Sequence, residues 1–292
     1  MADRSNMGLG PLVLALLLGA TPLAAHACIG VGVITRIDGL PQEVVITRLD
    51  AGKPTVVSRP RVLEVVCQDD QIRTQGSTSV VLSLDGRGSV KVDHGLDYHV
   101  PAKSGAPSLA GNAYRTINDQ VMPDMKRLPW SVRIKGAGDD FGFALPALSA
   151  GGQQLQAGRR TLLVRLVGGT PPYKVELRSA SATVASQSGT SHEIVLSDVN
   201  LTPGAYQIAV SDAASPGQLA APITVVDAAP PHDATFDGLG DPEIRAAASA
   251  TALARTSPGV WSFEAEQWIQ AAPQSGLDRD KVYELIESYS TD

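Results

Sequence analysis

Apolar and polar residues alternate over short segments, and glycine- and proline-rich turns separate these segments along most of the chain. Val80, Leu82 and Leu84 follow this period of two, and residues 162–166 follow it again. Successive side chains of a β-strand point to opposite faces of its sheet, so each such segment can bury one face. Glycine and proline account for 28 and 20 of the 292 residues, which suits short strands joined by turns. The sequence therefore predicts a mainly β protein.

The composition limits the classes of protein that this chain can belong to. Hydrophobic residues make up 43% of its 292 residues and charged residues 18%, which is enough apolar material for more than one packed core. The formal net charge of −6 argues against nucleic-acid binding through phosphate contacts. Arginine outnumbers lysine and alanine is abundant, a usage associated with GC-rich bacterial genes.

The first 27 residues have the pattern of a secretory signal peptide. The apolar run LGPLVLALLL covers residues 9–18, and the small residues after it end in Ala25-His26-Ala27. This pattern predicts cleavage between Ala27 and Cys28 and a periplasmic or secreted location. The run is too short for a permanent membrane span, and we expect no transmembrane segment after cleavage.

Two cysteines occur in the sequence, Cys28 and Cys67. An even number of cysteines in an exported chain predicts a disulfide between them. The alternative is a lipid anchor on Cys28, which cleavage would place at the new amino terminus. The bulky His26 just before the cleavage site fits a lipoprotein signal badly, so we favour the disulfide.

Short motifs between residues 28 and 105 occur in a recognisable order. Residues 67–74 read CQDDQIRT, and STSVVLSLDGRGSVKVD follows closely, with Gly32 and Gly39 in the opening strand region. This order resembles the FecR-type domain, in which glycine stands where this chain has Asp69. The resemblance implies an extracytoplasmic β-rich module, and some members of that family pass signals inward. We expect this chain, which lacks their membrane helix, to regulate only through a partner protein. Together with an extension, the unit is assigned to residues 28–147.

Asp69, Asp70 and Thr74 could be interpreted as a cation-binding or catalytic site. Aspartates in turns commonly accept backbone N–H groups, however, and threonine favours strands. We therefore interpret these three residues as structural. Residues 107–124 show no clear period, and residues 130–134 alternate as a further strand.

Residues 158–228 contain short alternating segments at regular spacing, which predicts an immunoglobulin-like β-sandwich. The strings GGTPPYKVEL and LTPGAYQIAVSD within it resemble the Ig-like repeats of bacterial surface adhesins. Tyr206 follows a turn at the start of a late strand. A tyrosine in such a place bonds its hydroxyl back to the preceding loop, so we expect a buried side chain with a backbone partner.

Residues 229–240 are interpreted as a linker, and the period changes to that of helices over residues 241–290. Asp241 stands where an N-cap is expected, followed by a proline and a glutamate. Breaks near residues 257–259 and 273 predict three helices. Trp261 and Trp268 have helical spacing, and they form either the core of this helical region or a partner surface.

The sequence contains no phosphate-binding loop, dinucleotide fingerprint or nucleophile elbow. His94 and His99 lack a third ligand nearby in sequence, so we predict no metal site and no cofactor. The chain is predicted to be a non-enzymatic binding or scaffolding module whose partner is another envelope protein. The first alternative is a polysaccharide- or cell-wall-binding module, which needs an exposed row of aromatic side chains. The second is a hydrolase, which needs a deep pocket with convergent His, Asp or Ser groups.

Overall fold

The computed structural model describes residues 28–50, 53–102, 109–121, 141–214 and 219–289. The predicted signal peptide lies outside these residues, and so does the strand expected over residues 130–134. The chain is mainly β, as its alternating pattern predicts, with helices concentrated after residue 240. Among the helices that the structure describes, none combines the length and apolarity that a bilayer crossing requires.

The N-terminal unit consists of eight strands, all paired antiparallel. They are β1 (Gly30–Asp38), β2 (Val44–Asp50), β3 (Lys53–Ser58), β4 (Val65–Cys67), β5 (Gln71–Thr74), β6 (Ser79–Leu84), β7 (Gly88–Val92) and β8 (Asp97–His99). Two four-stranded sheets result, with the orders β4-β1-β6-β7 and β3-β2-β5-β8. Their facing side chains form a small core that includes Ile34, Ile46, Ile72 and Leu82, each fully buried.

Strand β1 is buried on both sides because a helix covers its outer face. Helix α1 (Leu109–Thr116) packs against it and continues as a π-helical turn, Ile117–Val121. A Cβ atom at Gly30 would lie 2.4 Å from the Cβ of Tyr114, so only glycine permits this approach. The sequence pattern predicts no regular element here. The buried residues of α1 do have helical spacing, but polar and glycine residues between them obscure the period; they are Ala110, Ala113, Tyr114 and Ile117.

The second unit is a β-sandwich. Its strands are β9 (Gly142–Phe143), β10 (Gln153–Gln156), β11 (Gly158–Val167), β12 (Tyr173–Ser179), β13 (Thr183–Gly189), β14 (Glu193–Leu201), β15 (Gly204–Ser211) and β16 (Leu219–Val226). The five-stranded sheet has the order β10-β16-β15-β12-β13 and the three-stranded sheet β14-β11-β9. Alternating residues of both sheets meet in the interior, among them Val164, Leu177, Ile208 and Ile223.

The sandwich begins before residue 158, where the sequence placed its start. Strand β9 pairs with β11, and β10 pairs in parallel with the last strand, β16. A short helix, α2 (Pro146–Ala150), joins β9 to β10. Strands of two and four residues carry too little alternation for recognition from sequence, which is why the sequence pattern places residues 142–147 in the N-terminal unit.

The C-terminal region contains the three predicted helices, α3 (Pro242–Thr256), α4 (Pro258–Ala271) and α5 (Arg279–Tyr289). Asp241 caps α3 as expected, because its Oδ1 accepts the backbone N–H groups of Glu243 (2.8 Å) and Ile244 (3.2 Å). The expected linker is instead packed. Its 3₁₀ turn, Ala234–Gly238, lies against α1, and the Phe236 side chain is fully buried.

Candidate functional site

Helix α4 lies between its neighbours with hardly any free face. Trp261, Phe263, Ala265 and Ile269 are buried, and so are the polar residues between them. It packs against α3 and α5 on one side and against β10 and β11 of the sandwich on another. A helix that is buried all round needs a partner for each of its polar side chains, because unpaired buried polar groups are costly.

Side-chain amides join α4 to the edge of the sandwich. The Gln267 amide accepts the backbone N–H of Leu163 (2.7 Å) and donates to its carbonyl oxygen (3.0 Å). This amide therefore takes the place that a neighbouring strand would have beside β11. From the sandwich side, Gln153 accepts the backbone N–H of Phe263 (2.9 Å).

A buried ion pair strengthens the same contact. Arg160 of β11 donates two hydrogen bonds to the Glu264 carboxylate, at 2.8 and 2.9 Å. The Glu264 side chain is 1% exposed and also accepts the indole N–H of Trp268. Such two-pronged arginine–carboxylate pairs fix geometry as well as charge, so α4 has one defined position on the sandwich.

A second charged group on this contact, the Arg165 cluster, consists of Arg165, Glu193, Glu266, Tyr283 and Glu287. The Arg165 guanidinium lies 2.5 Å from Glu287 and 3.9 Å from Glu266, and it stacks over the Tyr283 ring at 4.4 Å. Burial raises the pKa of Glu266 to about 8, with the nearby Glu287 adding to the effect. Burial also raises the pKa of Glu287 to about 7.

An open cleft of about 380 Å³ lies where the N-terminal unit meets the helical region. Arg36 from β1 lines one side, and Gln274, Asp278 and Asp280 from the start of α5 and the loop before it line the other. The backbone N–H of Asp278 donates to the Thr35 carbonyl (2.9 Å), which ties this loop to β1.

Glu243 forms the floor of the cleft and holds its loop in place. Its carboxylate accepts the backbone N–H groups of Ser275 (2.6 Å) and Leu277 (3.0 Å) and the Arg279 guanidinium (2.6 Å). Burial alone would raise the pKa of Glu243, but these donors lower it below its ordinary range. The carboxylate therefore stays ionised and fully bonded.

The predicted disulfide between Cys28 and Cys67 is confirmed, and it joins the segment just before β1 to the end of β4. A cysteine in this disulfide has no free thiol to which a lipid could be attached. The disulfide and a lipid anchor on Cys28 are therefore mutually exclusive. Ala27, on the other side of the predicted cleavage site, lies outside the described residues.

Two of the three polar residues singled out between residues 67 and 74, Asp70 and Thr74, have hydrogen-bond partners within the N-terminal unit. Asp70 is fully buried, and its carboxylate accepts two hydrogen bonds from Arg48 (2.9 and 3.0 Å) and one from the Cys67 backbone N–H (2.8 Å). Thr74 donates to the Asp93 carbonyl (2.6 Å). Asp69 has a φ of 64°, the left-handed conformation that glycine adopts readily.

The two tryptophans take different positions on α4. Trp261 is 7% exposed and belongs to the large core, so its side chain offers almost no surface to a partner. Trp268 is half-buried, packs against the same core and donates to Glu264. Among the residues described, no group of three or more histidine, cysteine and acidic side chains has the spacing of a metal site.

Tyr206 is 8% exposed, and its hydroxyl accepts the backbone N–H of Thr202 (3.2 Å), which confirms the prediction for this residue. Replacing Tyr206 with phenylalanine should lower the free energy of unfolding by about 1 kcal/mol, because the Thr202 N–H loses its acceptor. Urea denaturation of the two proteins measures the difference. Tyr283→Phe is the matched control, since that buried hydroxyl has no hydrogen-bond partner within the described part of the chain. Equal losses in both variants would contradict the prediction.

Sequence reasoning missed the polar contacts between β11 and α4. Leu162, Val164 and Leu166 of β11 belong to the core, and their alternation alone does not indicate what covers the opposite face of the strand. Leu163 lies on that other face and is 2% exposed. An unbroken apolar run in a strand indicates that both faces are covered, so residues 162–164 contained the available signal.

No protein-family model matches the chain, so the FecR-type resemblance remains a prediction. No curated protein matches it either. Solved structures with some likeness include the titin domains z1z2 in complex with telethonin, at 14% identity over 66% of this chain and 81% of that one, with a TM-score of 0.22. Domains 4 and 5 of the S-layer protein SbsC match at 12% identity over 65% and 73%, with a TM-score of 0.21.

An engineered protein matches at 16% identity over 30% of this chain, with a TM-score of 0.23. The match spans only 20% of the length of that engineered protein. TM-scores this low carry no argument about function, and the sandwich architecture described above depends on the strand pairings alone.

Proposed function

We propose that this protein is an exported, non-enzymatic binding or scaffolding module of the bacterial envelope that acts on another envelope protein. The signal-peptide pattern and the Cys28–Cys67 disulfide both support an oxidising location outside the cytoplasm. The resemblances to FecR-type domains and to adhesin Ig-like repeats support an envelope role, with regulation exerted through the partner.

The observation that carries the proposal is the composite cleft. Its two sides come from different units, and the hydrogen bond from the Asp278 N–H to the Thr35 carbonyl joins them, while the bonds to Glu243 fix the loop on the helical side. A site that is rigid before binding loses less entropy when a partner docks. Its rim presents charges of both signs, Arg36 and Asp280, which suits the polar edge of a protein contact.

The cleft differs from the pocket that a hydrolase needs. Its acid Glu243 has a lowered pKa and is already bonded to an arginine and to backbone N–H groups, so it is poorly suited to act as a general acid or base. The acids with raised pKa values, Glu266 and Glu287, are 1% and 3% exposed and do not line the cleft.

The polysaccharide-binding alternative requires exposed aromatic side chains on one sheet face. Each aromatic residue within the described ranges is buried or half-buried. Tyr98, Phe141, Trp268 and Tyr289 are the half-buried ones, and they are spread over different elements. The protein-partner proposal therefore has the stronger support.

Site-specific photo-cross-linking in intact envelopes tests the proposal. A photoreactive residue at Gln274, which is exposed in the cleft, should give a defined covalent adduct with one envelope protein. The same residue at Ser186, exposed on β13 of the sandwich, is the control and should not give it.

Arg36→Glu in the Gln274 cross-linking protein should abolish the adduct, because the charge on one side of the cleft is reversed. Adducts that form equally from Gln274 and Ser186, or that persist with Arg36→Glu, would contradict the cleft as the binding site. Adducts with cell-wall glycan in place of protein would favour the polysaccharide alternative.

A further inference from the structure

Three carboxylates converge on one guanidinium where the sandwich meets the helices. Arg165 on β11 faces Glu287 of α5 at 2.5 Å, Glu193 of β14 at 3.4 Å and Glu266 of α4 at 3.9 Å. Each carboxylate comes from a different element, so the Arg165 cluster spans the contact between the sandwich and helices α4 and α5.

The cluster contains three carboxylates and one guanidinium, and two of the carboxylates, Glu266 and Glu287, are buried. Glu266 is 1% exposed, and its Oε1 has no hydrogen-bond partner among the residues that the structure describes. An ionised carboxylate in such a position lacks both water and a close donor, which makes the charged form costly. A proton on Glu266 removes that cost.

Charged and titratable groups in and around the cluster come from the strands and from helices α4 and α5. The strands contribute Arg165 and Glu193, and α4 contributes Glu266. Helix α5 adds the remaining titratable and charged groups, which are Arg279, Asp280, Tyr283, Glu284 and Glu287. Acidic groups outnumber basic ones in this set, so the surroundings also favour a neutral Glu266.

We propose that the Arg165 cluster is a proton-operated latch, in which docking of α4 and α5 on β11 requires a proton on Glu266. Docking is then tight in mildly acidic surroundings and weakens as the pH rises. This role is independent of what binds in the cleft.

The sign of the pH dependence follows from the two states of Glu266. Its pKa is about 8 when docked and has the ordinary value of 4.5 when the helices are undocked and the carboxyl is in water. The docked state therefore holds a proton that the undocked state has released between these two pH values. Stabilisation by the latch is complete below about pH 4.5, is lost progressively as the pH rises and is gone above about pH 8.

Hydrogen exchange of the full mature chain measures latch opening. After correction for intrinsic exchange rates, protection of the amides in α4 and α5 should fall steeply from pH 5.5 to 7.5 and level off above about pH 8. Glu266→Gln keeps the shape of the side chain but binds no proton. In this variant, the protection of the α4 and α5 amides should fall less steeply with pH than in the wild type. The difference should be about a factor of ten in protection for each pH unit, which corresponds to one proton per opening event.

Asp198→Asn is the matched control, because Asp198 is an exposed acid on β14 that pairs with Arg159 away from the cluster. It should leave the pH dependence of α4 and α5 unchanged. Carbon-13 NMR titration of the Glu266 carboxyl in the wild-type chain provides a readout that does not depend on the variant folding. A Glu266 midpoint near the ordinary value, or parallel pH profiles for wild type and Glu266→Gln, would overturn the latch.

Discussion

Replacing Arg48 with methionine should lower the free energy of unfolding by about 3–5 kcal/mol, which urea denaturation will measure. Arg48 is the cation that pairs with Asp70, whose side chain is fully buried, and it also donates to the Val65 carbonyl (2.8 Å). Without the guanidinium, the Asp70 carboxylate keeps only the Cys67 backbone N–H as a donor among the bonds described above. A buried carboxylate that loses its cation is strongly destabilising.

Two further variants separate the loss of the pair from the loss of side-chain contacts. The double variant Arg48→Met with Asp70→Leu also removes the buried carboxylate that has lost its cation. It should therefore recover much of the lost stability. Arg73→Met is the matched control, since Arg73 and Asp97 pair on the neighbouring strands β5 and β8 but are 58% and 40% exposed. It should cost far less than Arg48→Met, because water screens an exposed ion pair. A loss in Arg48→Met no larger than in Arg73→Met would refute the prediction.

Removal of the disulfide by the double substitution Cys28→Ala and Cys67→Ala should cost about 3–4 kcal/mol. The bond closes a loop with a sequence separation of 39 residues, and opening this loop increases the entropy of the unfolded chain. Cys67 is 1% exposed, so alanine, which adds no buried hydroxyl group, is the suitable replacement.

The measurement compares thermal unfolding of the oxidised protein with that of the double variant. Treating the wild-type protein with a phosphine reductant should shift its midpoint to that of the variant, and treating the variant should change nothing. If the reduced and oxidised wild-type proteins unfold at the same temperature, the disulfide makes no contribution to stability.

The elements that could be predicted from sequence are those whose pattern is local. The alternation of apolar and polar residues identified the side chains of β6 and β11 that face the core. The turn before Tyr206 predicted the hydrogen bond of its hydroxyl to the preceding loop. Asp241 marked the start of α3 through its capping chemistry. Each of these signals lies within a few residues of the element that it defines.

What sequence reasoning missed depends on residues about a hundred positions apart. Gln267 bonds to Leu163 and Glu264 to Arg160 only because the helices fold back over β11. Polar residues within a helix normally indicate a solvent-facing side, so nothing local distinguished Glu264 and Glu266 from surface acids. The cleft was missed for the same reason, since Arg36 and Asp280 are far apart along the chain.

The enclosed position of α4 sets an order for assembly during synthesis. Both β units are synthesised before residues 258–271. The outer face of β11 and the backbone N–H of Leu163 therefore remain uncovered until that helix has emerged. Under the export proposed above, with the amino terminus crossing the membrane first, these surfaces emerge before the helix that covers them. We therefore expect the β units to need protection from premature association until the last helices arrive, and a stalled or truncated chain to aggregate through them.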